Sequence, residues 1–168
     1  ATILAMHHAL LHHQHPEWAG RWRDQPVWIG GRATSPHGAS FVPPEHSRIP
    51  ALISDLTTFA RRTDIDPLVK ALLAHAQFET IHPFLDGNGR LGRLLITFLL
   101  CAQGALSKPI LYLSLFFKTH RQRYYELLQR VREDGDWEAW TAFFLEGVVE
   151  TAAQATEAAR QLLGLFER

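Results

Sequence analysis

The sequence holds a single cysteine, Cys101, among 168 residues. An internal disulfide is therefore excluded, and a reducing, cytoplasmic compartment is the expectation. Cys101 stands in an apolar stretch and reads as a small buried hydrophobe. Charge excess is also missing, since Lys plus Arg and Asp plus Glu both number 17. Nothing then advertises a surface for nucleic acid or an anionic membrane, and no recognition helix stands out. No apolar run reaches the length of a membrane span; LLITFLLCA at 94–102 suits a buried helix. Within these residues no secretory signal is evident, and no internal repeat or low-complexity linker divides the chain. The first residue is alanine, so the chain is expected to be a fragment or to lack residues upstream. Its length suits one domain with a sizeable core.

The P-loop pattern GxxxxGK[ST] is absent too. Residues 82–93 instead read HPFLDGNGRLGR, with apolar helical sequence on both sides. Upstream, residues 67–81 predict a helix, with Pro67 in the first turn after Asp66. His82 precedes Pro83, which disfavours the helical basin and ends that helix. Asp86, Gly87, Asn88 and Gly89 are turn chemistry. From Arg90 onward helical periodicity returns, with Leu91, Leu94, Leu95 and Phe98 close to one face. The backbone N–H groups that open a helix attract anions, and Arg90 and Arg93, three apart, can serve the same end. Asp86 suits a magnesium ion that already carries phosphates. His82 is the obvious base. The same residues also admit a plainer reading: a capped helix end, a turn and a solvated face.

Elsewhere helices are predicted over 2–13, 45–62, 118–133, 136–146 and 150–167, with Asp136 as an N-cap. YLSLFF at 112–117 leans to a short extended or irregular segment. Pro26–Ile29 and Ala39–Val42 are expected to form a loose hairpin around SPHG. His7, His8, His12, His13, His15 and His37 are expected to be solvated or locally hydrogen-bonded. His8 and His12 are four apart, but no cysteine or acidic framework accompanies them as a metal site would need.

HPFLDGNGRLGR resembles the signature of the Fic (Fido) family, His-Pro-Phe-x-Asp-Gly-Asn-Gly-Arg-x-x-Arg, at every fixed position. The wider resemblance runs from about residue 4 to 150 and takes in GRWRDQPVWIGG at 20–31, FVPP at 41–44, RQRYYELL at 121–128 and GDWEAWTAFFL at 135–145. It implies a mainly α fold: a single Fic-type helical bundle over 1–168 with a small β-hairpin flap. It implies transfer of AMP from ATP to a Ser, Thr or Tyr hydroxyl of a target protein. His82 would be the general base and Asp86 the Mg²⁺ ligand. Gly87, Asn88 and Gly89 would cradle phosphate, and Arg90 and Arg93 would neutralise charge. Phe84 would border the site as the loop's anchor, and Tyr124 or Tyr125 would border the nucleoside. The flap, residues 28–42, would grip the target by strand addition.

Glycine at 89 favours AMP transfer, because the family's Doc-like kinases carry lysine there. Removal of AMP, transfer of another phosphate-linked group such as phosphocholine, or a vestigial binding domain remain alternatives. Members are often restrained by a helix bearing Ser/Thr-x-x-x-Glu-Gly/Asn, whose glutamate pairs with the arginine here numbered 93. No convincing copy exists: before Glu146–Gly147, position 142 is alanine. An upstream helix or a partner would have to supply it. A homo-oligomer is a further possible partner; nucleic acid and membrane are not expected.

Overall fold

The computed structural model describes residues 2–30 and 35–166, and it is mainly helical. The chain divides into two compact units, Ala1–Leu99 and Leu100–Arg168.

The first unit carries α1 (Thr2–Leu11), a short 3-10 turn (His46–Arg48), α2 (Ile49–Ala60), α3 (Pro67–Ile81) and most of α4 (Asn88–Ala102). The start of α3 follows from its sequence. The Asp66 carboxylate accepts from the N–H groups of Leu68 (2.8 Å) and Val69 (3.3 Å), and Pro67 occupies the first turn. Ile49, Ile53 and Leu56 recur at spacings of four and three, so α2 buries one stripe. Buried residues of α3 include Ala71, Leu72, Ala74, Ala76, Phe78 and Ile81, almost all round, which makes it the unit's central helix. The stripe of α2, Ala74, Phe78 and Ile81 of α3, Phe84, and Leu91 and Leu95 of α4 form one core, which Trp22 and residues of α1 cover. α4 is rotated from the expected face. Leu91, Leu95, Ile96 and Leu100 are buried, whereas Leu94 and Phe98 are exposed.

Between α1 and the 3-10 turn, Ile29 and Phe41 make an isolated antiparallel bridge. The Ile29 N–H donates to Phe41 O at 2.8 Å, and the Phe41 N–H returns to Ile29 O at 3.2 Å. No longer strand is present among the described residues, and residues 31–34 of the expected flap lie outside them.

The second unit carries α5 (Leu113–Thr119), α6 (Arg121–Asp134) and α7 (Trp137–Phe166). Three expectations differ from the structure in this unit. Residues 113–119 are helical, not extended, because Leu113, Phe116 and Phe117 bury one helical face in an aromatic core with Trp140, Phe143 and Phe144. α7 runs unbroken where two helices were expected. Gly147 is not a break: a Cβ there would stand 2.5 Å from the Phe116 ring, so glycine lets α5 approach. Asp136 does cap α7, accepting from the Ala139 N–H at 3.1 Å. Cys101 is half-buried, not fully buried, because it lies beside the exposed end of α4. No helix of the described residues is long and apolar enough to cross a membrane.

Candidate active site

α3 ends at His82 with φ 48° and ψ 62°, the one non-glycine in the left-handed region among the described residues. That conformation costs a non-glycine residue about 1 kcal/mol or more, so its surroundings must hold it. They do so through the backbone. The His82 N–H donates to Phe78 O at 3.0 Å. The His82 carbonyl accepts from Arg23 Nε at 2.8 Å, and the Arg23 N–H donates to Pro83 O at 3.0 Å. Arg23 is buried, and its other nitrogens reach the carbonyls of Gln25 and Pro44. One planar guanidinium thus ties the catalytic candidate to both stems of segment 26–43. Burial lowers the Arg23 pKa from its usual value.

The loop that follows is pinned at its centre. Phe84 is fully buried, which is worth about 2–3 kcal/mol, and its ring contacts Trp22 (5.0 Å) and Phe78 (6.4 Å). Asn88 closes the loop on itself: Oδ1 accepts from the Phe84 N–H at 2.9 Å and Nδ2 donates to Phe84 O at 2.8 Å. Gly87 has φ 82°, and a Cβ would press on Leu11 at 3.0 Å, so both backbone and packing demand glycine. The first α4 bond runs from the Leu91 N–H to Gly87 O at 2.9 Å. The N–H groups of the opening turn precede any intrahelical acceptor.

Charge gathers at that helix start. Arg90 Nη2 pairs with Asp86 Oδ2 at 2.9 Å, both side chains being substantially exposed. A Cβ at Gly89 would lie 3.2 Å from Arg93 Nη1 and 3.9 Å from Glu79 Oε1, so glycine lets the guanidinium and a buried acid share that end of the helix. A Cβ at Gly92 would lie 2.4 Å from Glu79 Oε1 and 3.2 Å from His75 Cε1. His75 is buried beneath, and burial pushes its pKa down to about 4, opposed by a hydrogen bond to the Gly92 backbone and aided by Arg93.

His7 is the residue the sequence misplaced. It is not solvated. Its Nδ1 accepts from the Gly20 N–H at 2.9 Å, and its Nε2–H donates to Asp86 O at 3.0 Å. Burial lowers its pKa below the usual 6.5, with Asp86 opposing. One signal was available: His7 lies four residues from both Ile3 and Leu11, on the inner face of α1. Glu79 and His75 left no comparable trace, and Arg23 stands out only as part of GRWRDQPVWIGG.

Of the expected site residues, the first unit therefore brings together His82, Phe84, Asp86, Gly87, Asn88, Gly89, Arg90 and Arg93 on one loop and helix start. Phe84 stands wholly in the core. Tyr124 and Tyr125 belong to the second unit. Tyr124 is buried against Phe117 at 4.9 Å, whereas Tyr125 is exposed with Arg121 over its ring at 5.7 Å. Among the described residues no group of three or more His, Cys, Asp or Glu could hold a metal. The single exposed carboxylate of Asp86 fits a magnesium ion whose remaining ligands are phosphate and water.

On this helical scaffold a histidine at a helix end thus stands beside a glycine loop that opens a helix carrying two arginines. The family model of the Fic/DOC family matches residues 1–100, and the chain belongs to that family. Aedes aegypti protein adenylyltransferase Fic is 31% identical over 147 residues, which are 86% of this chain and 26% of that protein. A Fic family protein from Desulfovibrio desulfuricans G20 has a similar solved structure, with TM-score 0.78 and 28% identity, over 94% of this chain and 46% of that one. Fic-1 from C. elegans gives TM-score 0.72 and 26% identity, over 95% of this chain and 43% of that one. The chain thus spans about a quarter of the curated relative's length and less than half of each solved chain.

Proposed function

We propose that this protein transfers AMP from ATP to a hydroxyl side chain of a target protein. The observation that carries the reading is His82, held in a left-handed helix end by Arg23 and followed within one loop by the anion-attracting start of α4. The adenylyltransferase name of the 31%-identical relative supports it. His82 takes the proton as the Ser, Thr or Tyr oxygen attacks the α-phosphorus. The bond from that phosphorus to the bridging oxygen breaks, and pyrophosphate leaves. N–H groups at Gly87, Asn88 and Gly89 receive phosphate oxygens, while Arg90 and Arg93 balance charge that grows on the departing group. Asp86 would hold Mg²⁺, which neutralises phosphate charge when bound. Phe84 acts from the core, as the anchor of the loop.

The finer assignments belong to the same reading. Residues 1–168 are read as one Fic-like domain, which suits the near-complete coverage by solved relatives. Residues 28–42 serve as a flap that pairs with an extended target segment; the Ile29–Phe41 bridge supports this. Of the two tyrosines, Tyr125 has the ring exposed for a nucleoside. A carboxylate from an inhibitory helix or partner would act on Arg93. Half-buried, unpaired Cys101 suits a reducing cytoplasm.

Incubation with labelled ATP, magnesium and candidate proteins, read by intact mass, tests the proposal. A gain equal to AMP is expected. A gain equal to phosphate would replace it with kinase chemistry, and no ATP binding would leave only a vestigial domain.

A further inference from the structure

We propose that His7 is a positioning residue for the nucleotide: it holds the Asp86–Gly87 peptide in the orientation that phosphate binding needs. The inference rests on the ATP-binding reading of the loop. Its chemistry is local. A backbone N–H can only donate and a carbonyl can only accept. Gly20 N–H meets Nδ1 at 2.9 Å, and Asp86 O meets Nε2 at 3.0 Å. The ring is therefore neutral with its proton on Nε2. It lies flat on Phe84, with centroids 3.6 Å apart and planes 5° apart, and is 1% exposed. A Cβ on Gly87 would be 3.5 Å from Nε2. One imidazole therefore touches Phe84, Asp86 and the edge of Gly87.

The consequence follows from the planar trans peptide. A carbonyl and the following N–H point in opposite directions. With the Asp86 oxygen drawn inward to His7, the Gly87 N–H is turned away from His7 and out of the core. Gly87, at φ 82°, is a residue whose flanking peptides flip at low cost. His7 opposes that flip without touching the nucleotide.

Two amide replacements separate the two hydrogen bonds. Glutamine places a nitrogen three bonds from Cβ, as Nε2 is, and can donate to Asp86 O. Asparagine places an oxygen two bonds from Cβ, as Nδ1 is, and keeps only the Gly20 bond. Calorimetric titration of the 168-residue chain with Mg·ATP should show His7→Gln within about threefold of wild type and His7→Asn weaker by about tenfold or more. Thermal melting of both variants reports the general structural cost. Equal affinities for the two variants would overturn the assignment to His7 alone. A wild-type chain that binds no Mg·ATP would overturn the nucleotide reading along with it. If neither variant folds, long-range ¹H–¹⁵N spectra of the wild-type histidines decide the matter: the Nε2–H tautomer for His7 at pH 7.5 is expected, and the Nδ1–H tautomer or an imidazolium refutes the proposal.

Discussion

The loop 82–93 and the segment 26–43 are neighbours through Arg23, yet they are built on opposite principles. The loop is held from every side: Arg23 on His82, Asn88 on Phe84, His7 on Asp86, and a fully buried phenylalanine at its centre. Among the described residues of the segment, one bridge joins its two halves. Chemistry on phosphorus demands atoms fixed to within a fraction of an ångström, whereas reading an extended partner needs backbone groups still open to pairing. On the proposed function, the loop where the bond would change is thus the more firmly held of the two among the described residues.

The sharpest way to break that comparison is to remove the base while leaving the rigid loop intact. His82→Ala should lower AMP transfer by about 10³-fold or more, with ATP affinity held within a few-fold, because the helix start remains. Intact target modification by this variant in a labelled-ATP assay would remove His82 from the mechanism. Next in size is Arg23→Met, which strands the carbonyls of His82, Gln25 and Pro44. A loss of about 3 kcal/mol in urea unfolding is expected; a loss below about 1 kcal/mol would mean that water replaces the guanidinium.

Acid should loosen the floor of the loop by a similar amount. The His75 pKa is depressed from 6.5 to about 4, so the native state favours the neutral ring. Its contribution is full above pH 6.5 and is lost as pH falls through about 4, on the order of 3 kcal/mol in all. Urea unfolding at pH 7, 5.5 and 4 should fall more steeply for wild type than for His75→Gln, and parallel slopes would contradict the assignment. The smallest effect on stability belongs to the segment. Ile29→Pro removes the N–H that donates to Phe41 O; it should cost under about 1 kcal/mol while target modification drops severalfold at unchanged ATP affinity. A large loss of stability would show that this segment is as rigid as the loop.

Much of this division was legible in the residues. Asp66–Pro67 marked the start of α3, His82–Pro83 its end, and the glycines between Asp86 and Arg90 the turn. These signals are local, carried by side chains that act on their own backbone. What escaped depends on partners distant in the chain. α5 is helical because Leu113, Phe116 and Phe117 meet α7, and a seven-residue window contains none of that. Leu94 and Phe98 share the helical period of α4 but face outward, because Phe84 and α3 fix which stripe is buried. His7 looked like one of several surface histidines until a carbonyl 79 positions away came into reach.

That separation bears on the order in which the molecule assembles. His7 and Asp86 are 79 residues apart, and Arg23 and His82 are 59 apart. Contacts so remote in sequence carry a large loop-closure cost and are repaid late in folding. α3 and α4, by contrast, are continuous segments that can form early. On the proposed function, a partly folded chain would display the complete motif before His82 and the loop after it were held in place. On that reading, transfer to another protein would wait for the N-terminal segment to close over the loop, so an immature chain would stay chemically silent.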